Sequence, residues 1–139
     1  MTRYEPRVDA ESLVAIDMHV HVEQDSHGRL SLDDELMTAS ARYFKSADNR
    51  TPTVADLARR YRAANMAAVI FTVDAGTATG HPALSSEDIA TEAAGHADVL
   101  IPFGSVDPHR GAAAVEQARS LVRDFGVRGF KFHPSLQAF

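Results

Sequence analysis

His19 and His21 close a short apolar run, Leu13-Val14-Ala15-Ile16-Asp17-Met18-His19-Val20-His21. Their spacing of two is the period of a β-strand, so both imidazoles leave the same face. Neutral imidazole is the commonest protein ligand for zinc and related ions, and a catalytic site collects several protein ligands while keeping one position open for water. The pair therefore supplies half of a metal site. The same spacing occurs incidentally at solvated strand ends. Here the β-branched run before it and the polar loop after it favour ligation. Asp17 shares the alternation and is expected on the histidine face, one pleat deeper, as packing or as a partner behind the ligands. With no cysteine in the chain, a metal must be held by His, Asp, Glu or a modified Lys.

Three further apolar runs end in polar residues: Asp74, Asp107, and Lys131 with His133. The last two are again two apart and are the expected catalytic residues. His133 can ligate a metal, move a proton or orient a substrate carboxylate. Lys131 can pair with Asp74 or Asp107, bind an anionic substrate, or form a carbamate between two metals. Asp107 stands before Pro108 and reads as a helix cap, and Asp74 as a turn former. His27, His81, His96 and His109 read as solvated or capping residues.

The elements that must position these groups alternate. Strands are expected over residues 13–21, 67–74, 99–107 and 127–133, although Pro102 argues against an unbroken ladder at that point. Thr53 and Asp56 form a capping box for a helix that buries Val54, Leu57, Tyr61 and Ala64. Ser85 or Ser86 opens a second helix with Ile89 and Ala93 inward. Asp107-Pro108 opens a third, whose expected buried stripe is Val115, Ala118, Val122 and Phe125, with Gly126 as its stop. A strand–helix unit of about 30 residues implies parallel strands with helical crossovers. No glycine-rich phosphate loop follows the first strand, which favours a β/α barrel over an open doubly wound sheet. Four units are half of the eight a barrel needs. The expectation is therefore one domain, residues 1–139, forming the amino-terminal half of a (β/α)8 barrel, with residues 134–139 as a loop. Residues 22–52 form an insertion far longer than an ordinary βα connection, expected to act as a lid, with a helix that buries Leu32, Leu36, Ala39 and Tyr43.

The 14 basic and 19 acidic residues leave a net charge of -5, which gives no nucleic-acid-binding surface. No apolar run approaches the roughly 20 residues that cross a bilayer. A cytoplasmic protein without nucleic-acid or membrane partners is expected. Uncovered edges of a half barrel point to homo-oligomers.

Three motifs in this order, Ile16-Asp17-Met18-His19-Val20-His21, Gly104-Ser105-Val106-Asp107-Pro108 and Gly129-Phe130-Lys131-Phe132-His133-Pro134, resemble the metal-dependent amidohydrolase superfamily. They are most similar to the branch of aminocarboxymuconate semialdehyde decarboxylase and related hydrolases. The resemblance implies that His19 and His21 bind a divalent metal, usually zinc, with further ligands from later strands. It also implies that a metal-activated water attacks a carbonyl or acyl substrate, or that a carboxylated intermediate is decarboxylated or hydrated. In other branches a carbamylated lysine stands where Lys131 does. A phosphoesterase family that also opens with His-x-His continues with Thr and a Ser-Asp-Gly turn, unlike Val22-Glu23-Gln24-Asp25 here. A half barrel without catalysis of its own is the alternative from outside enzymology.

Overall fold

A computed structural model describes residues 2–43 and 51–139. Three strands, β1 (Ala15–His21), β2 (Met66–Phe71) and β3 (Leu100–Pro102), form a parallel sheet in the order β1-β2-β3. Between β1 and β2 lie helices α1 (Asp34–Tyr43) and α2 (Val54–Ala63). Between β2 and β3 lie a single turn, α3 (Gly76–Thr79), and α4 (Ser86–Ala94). After β3 come a 3-10 turn at Pro108–Arg110, helix α5 (Ala112–Ser120), a π-helical turn at Leu121–Phe125, and α6 (Pro134–Gln137). The arrangement is parallel α/β, compatible with part of a barrel. No helix among the described residues is long and apolar enough to cross a membrane.

The helices α2 and α4 begin where their caps place them. Thr53 accepts from the Asp56 amide while the Asp56 carboxylate accepts from the Thr53 amide, a complete capping box. Ser85 caps α4 through the Asp88 amide. Val54, Leu57, Ile89 and Ala93 meet Ala68, Ile70 and Leu100 of the sheet in one buried cluster, with Tyr61 packed at its edge. Ala64 is exposed, because it already caps the carboxyl end of α2.

Several expectations are corrected. Residues 127–133 make no fourth strand: they contribute one parallel bridge, Gly104 to Phe130, and the Arg128 amide donates to Pro102 O at 3.0 Å. β3 stops at Pro102, which has no amide to continue a ladder. Ala118 and Phe125 of the expected α5 stripe pack inward as expected, but Val115 and Val122 give way to their neighbours Ala114 and Leu121 and are about half exposed. Residues 134–137, expected as loop, form α6, whose Gln137 is fully buried. In α1, Met37 is the buried residue, and Ala39 and Tyr43 are exposed. Ser40 of this helix borders the same cavity as His19 and His21. Residues 44–50 of the expected insertion lie outside the described residues.

β1 carries a bulge. Asp17 pairs with Ala68 but Val20 pairs with Ile70, so Met18 and His19 together stand opposite Val69. An extra residue reverses the alternation. Asp17 and Val20 therefore face the helices, beside Ala68 and Ile70, while His19 and His21 face the other side. The expected placement of Asp17 on the histidine face is thereby overturned.

Candidate metal centre

His19 and His21 converge. Their Nε2 atoms lie 3.2 Å apart, and both rings lean on Phe71 of β2, with centroids 5.5 and 4.9 Å away. Two nitrogens bound to one tetrahedral zinc at the usual bond length stand about 3.3 Å apart. The separation of the pair thus matches that of two ligands on one ion. His21 is also in the form a ligand needs. Burial, and then the neighbouring His19, Lys131 and His133 charges, push its imidazole down to about 4, which leaves it neutral at pH 7. Glu23 stands 3.9 Å from His21 Nδ1, too far for a hydrogen bond but close enough to favour a proton on that nitrogen and leave Nε2 unprotonated. Among the described residues no group of three or more His, Cys, Asp or Glu side chains is arranged to hold an ion. The two histidines are thus a ligand pair, not a closed cage.

A cavity of about 480 Å³ opens over the pair, lined on one side by Glu23, Ser31, Leu32 and Ser40 and on the other by Thr72, Lys131 and His133. Lys131 Nζ is 3.5 Å from His19 Nε2 and 5.0 Å from the centre of the Phe71 ring. Neither expected carboxylate partner reaches it. Asp74 pairs with Arg110 at 2.9 Å, and Asp107 accepts from the Thr77 and His109 amides at 2.8 and 3.0 Å. Asp107 is the cap read from the sequence, here of the 3-10 turn. His133 caps α6, its Nδ1 accepting from the Leu136 amide at 3.2 Å. An Nδ1 used as acceptor leaves the neutral ring's proton on Nε2, so His133 is a donor towards the cavity and not a ready ligand.

Glu23 and Thr72 are among the cavity groups that escaped the sequence reading. Glu23 continues the alternation of His19 and His21, and that spacing could have revealed it. Thr72 has no such signal. It borders the cavity, yet it is 1% exposed, and its buried hydroxyl has no hydrogen-bond partner among the described residues.

Parallel strands with crossover helices and a convergent imidazole pair at a strand end define an α/β protein built around a candidate metal centre. The family profile described as amidohydrolase matches residues 16–139, and the chain belongs to that family. Membership indicates a metal-dependent function of amidohydrolase or decarboxylase-like type. No curated protein and no solved structure matches the chain.

Proposed function

We propose that this chain carries the first-strand metal site of a hydrolase that directs water at a carbonyl or acyl bond of a small carboxylated substrate. The observation that carries this reading is the 3.2 Å approach of His19 Nε2 to His21 Nε2. A divalent ion held there, zinc in the first instance, would supply Lewis acidity and lower the pKa of water towards neutrality.

The chain's own residues take the remaining tasks. Lys131, whose ammonium has no carboxylate partner among the described residues, attracts an anionic oxygen of the substrate to the histidine side of the cavity. His133 Nε2 holds a proton available to a leaving group or oxyanion. The cavity has the size of a small-molecule pocket. The Lys131 ammonium, without a carboxylate partner among the described residues, also favours a second reading, loss of CO2 from a carboxylated substrate, and the two separate by whether CO2 or a hydrolysed acid is released.

The test is metal content of the full chain purified with zinc. Near-stoichiometric zinc is expected for the wild type, with loss in His19→Ala and His21→Ala. Metal far below one ion per folded wild-type chain would sink the reading.

A further inference from the structure

The face that the histidines occupy depends on the bulge, and the bulge has a visible clamp. Upstream of it, Asp17 points towards the helices. Continued without a bulge, the strand would turn His19 and His21 to that same side, into the packed cluster of Ile70, Val54 and Leu57. The extra residue is what delivers the pair to the cavity. A bulged residue loses its place in the ladder, and its amide needs another acceptor. The His19 amide finds one in Asp17 Oδ1, at 3.0 Å. The other carboxylate oxygen, Oδ2, accepts from the Tyr61 hydroxyl of α2 at 2.6 Å. Tyr61 itself is half-buried against the cluster that joins α2 to the sheet. One carboxylate thus ties the backbone of a candidate ligand to a helix on the opposite side of the sheet.

We propose that Asp17 and Tyr61 are positioning residues for the histidine pair. Tyr61 anchors the carboxylate, the carboxylate satisfies the bulge, and the bulge aims His19. Neither side chain touches the ion or the substrate. The inference rests on the metal-site reading, and its consequences separate from it. Tyr61→Phe keeps the ring in the core but frees Asp17 Oδ2. Asp17→Asn keeps an acceptor for the His19 amide and loses the acceptor for Tyr61, whereas Asp17→Ala loses both.

The experiment is titration of the full chain with cobalt(II), following the visible absorption bands, together with hydrogen exchange of the His19 amide in metal-free protein. A partner behind a metal ligand typically governs affinity by about 10- to 100-fold. Tyr61→Phe and Asp17→Asn should each weaken cobalt binding by a factor in that range and alter the bands. Asp17→Ala should weaken it further and remove exchange protection at His19. In the double variant Asp17→Asn/Tyr61→Phe the losses should be less than additive, because both remove the same bond. Wild-type affinity and bands in Tyr61→Phe overturn the clamp and leave the metal site standing. Failure of the wild-type chain to take up cobalt overturns both. Should Asp17→Ala not fold, Tyr61→Phe decides, since it removes one oxygen at the edge of the core.

Discussion

Gln137 sits on a helix of four residues, too short to be stable by itself, yet its side chain is fully buried. Its Oε1 accepts from the His133 amide at 2.7 Å, and its Nε2 donates to Asp74 O at 2.8 Å and Val106 O at 3.1 Å. Its own carbonyl accepts from His109 Nε2 at 2.7 Å. One side chain therefore joins α6 to the segments leaving β2 and β3, and fixes the backbone of His133. Gln137→Ala leaves one amide and two carbonyls without their partner. At about 1 kcal/mol net for each bond, with lost packing added, the expected cost is about 3 to 5 kcal/mol. That is a large part of the 5–15 kcal/mol or so available to an ordinary domain. Urea unfolding followed by circular dichroism, compared at equal m-values, measures it. A loss below about 1 kcal/mol would show that α6 can detach without consequence, and would refute the role given to Gln137. Gln137→Glu sharpens the test. It keeps the acceptor for His133 but sets a carboxylate against two carbonyls, which raises its folded pKa above the unfolded value. The penalty should be present at neutral pH and shrink as the pH falls towards the unfolded value of about 4.3, because the protonated acid can donate again.

Two further outcomes follow from local geometry. Gly126 has φ +77°, and a Cβ there would lie 2.3 Å from Tyr4 O, whereas Gly80 has φ +70° and open space around it. Gly80→Ala should cost only the left-handed conformation, about 1 kcal/mol or a little more, while Gly126→Ala adds a backbone clash and should cost about 3, measured by denaturant unfolding; equal losses would remove the steric argument. Asp25 is 5% exposed, and although burial raises its pKa, the amides of Arg29 and His27 and the Arg29 guanidinium outweigh this and hold it low. Its folded pKa being depressed, its stabilisation is present above the unfolded value of about 3.9 and is lost as pH falls through the folded one. The thermal-stability cost of Asp25→Asn should therefore shrink on acidification; a cost independent of pH contradicts the assignment.

Much of the scaffold was legible because it is locally encoded. Thr53 with Asp56 and Ser85 define helix starts through bonds three residues long, and Gly126 ends its helical turn in the left-handed conformation expected of it. Two positions of the α5 stripe, Val115 and Val122, were misread because alternative apolar stripes run along that segment, and local pattern does not choose between them. The choice fell to Leu121, which fills the core under α4 and leaves Val115 and Val122 outside. Lys131 was recognised as a cavity candidate, but its separation from Asp74 and Asp107 was not. That depends on Arg110 occupying Asp74, 36 residues away, and on backbone amides occupying Asp107.

The sequence by itself determined that two imidazoles would leave β1 together, because residues two apart on extended backbone share a face wherever no bulge falls between them. It determined the alternation of strands and helices for the same local reason. Only the tertiary structure decided which side of the sheet the imidazoles reach. That choice turns on one extra residue in the pairing with β2, held by a tyrosine 44 residues further along the chain. A bulge is a property of two strands in register and of what packs behind them, and no periodicity within β1 contains it.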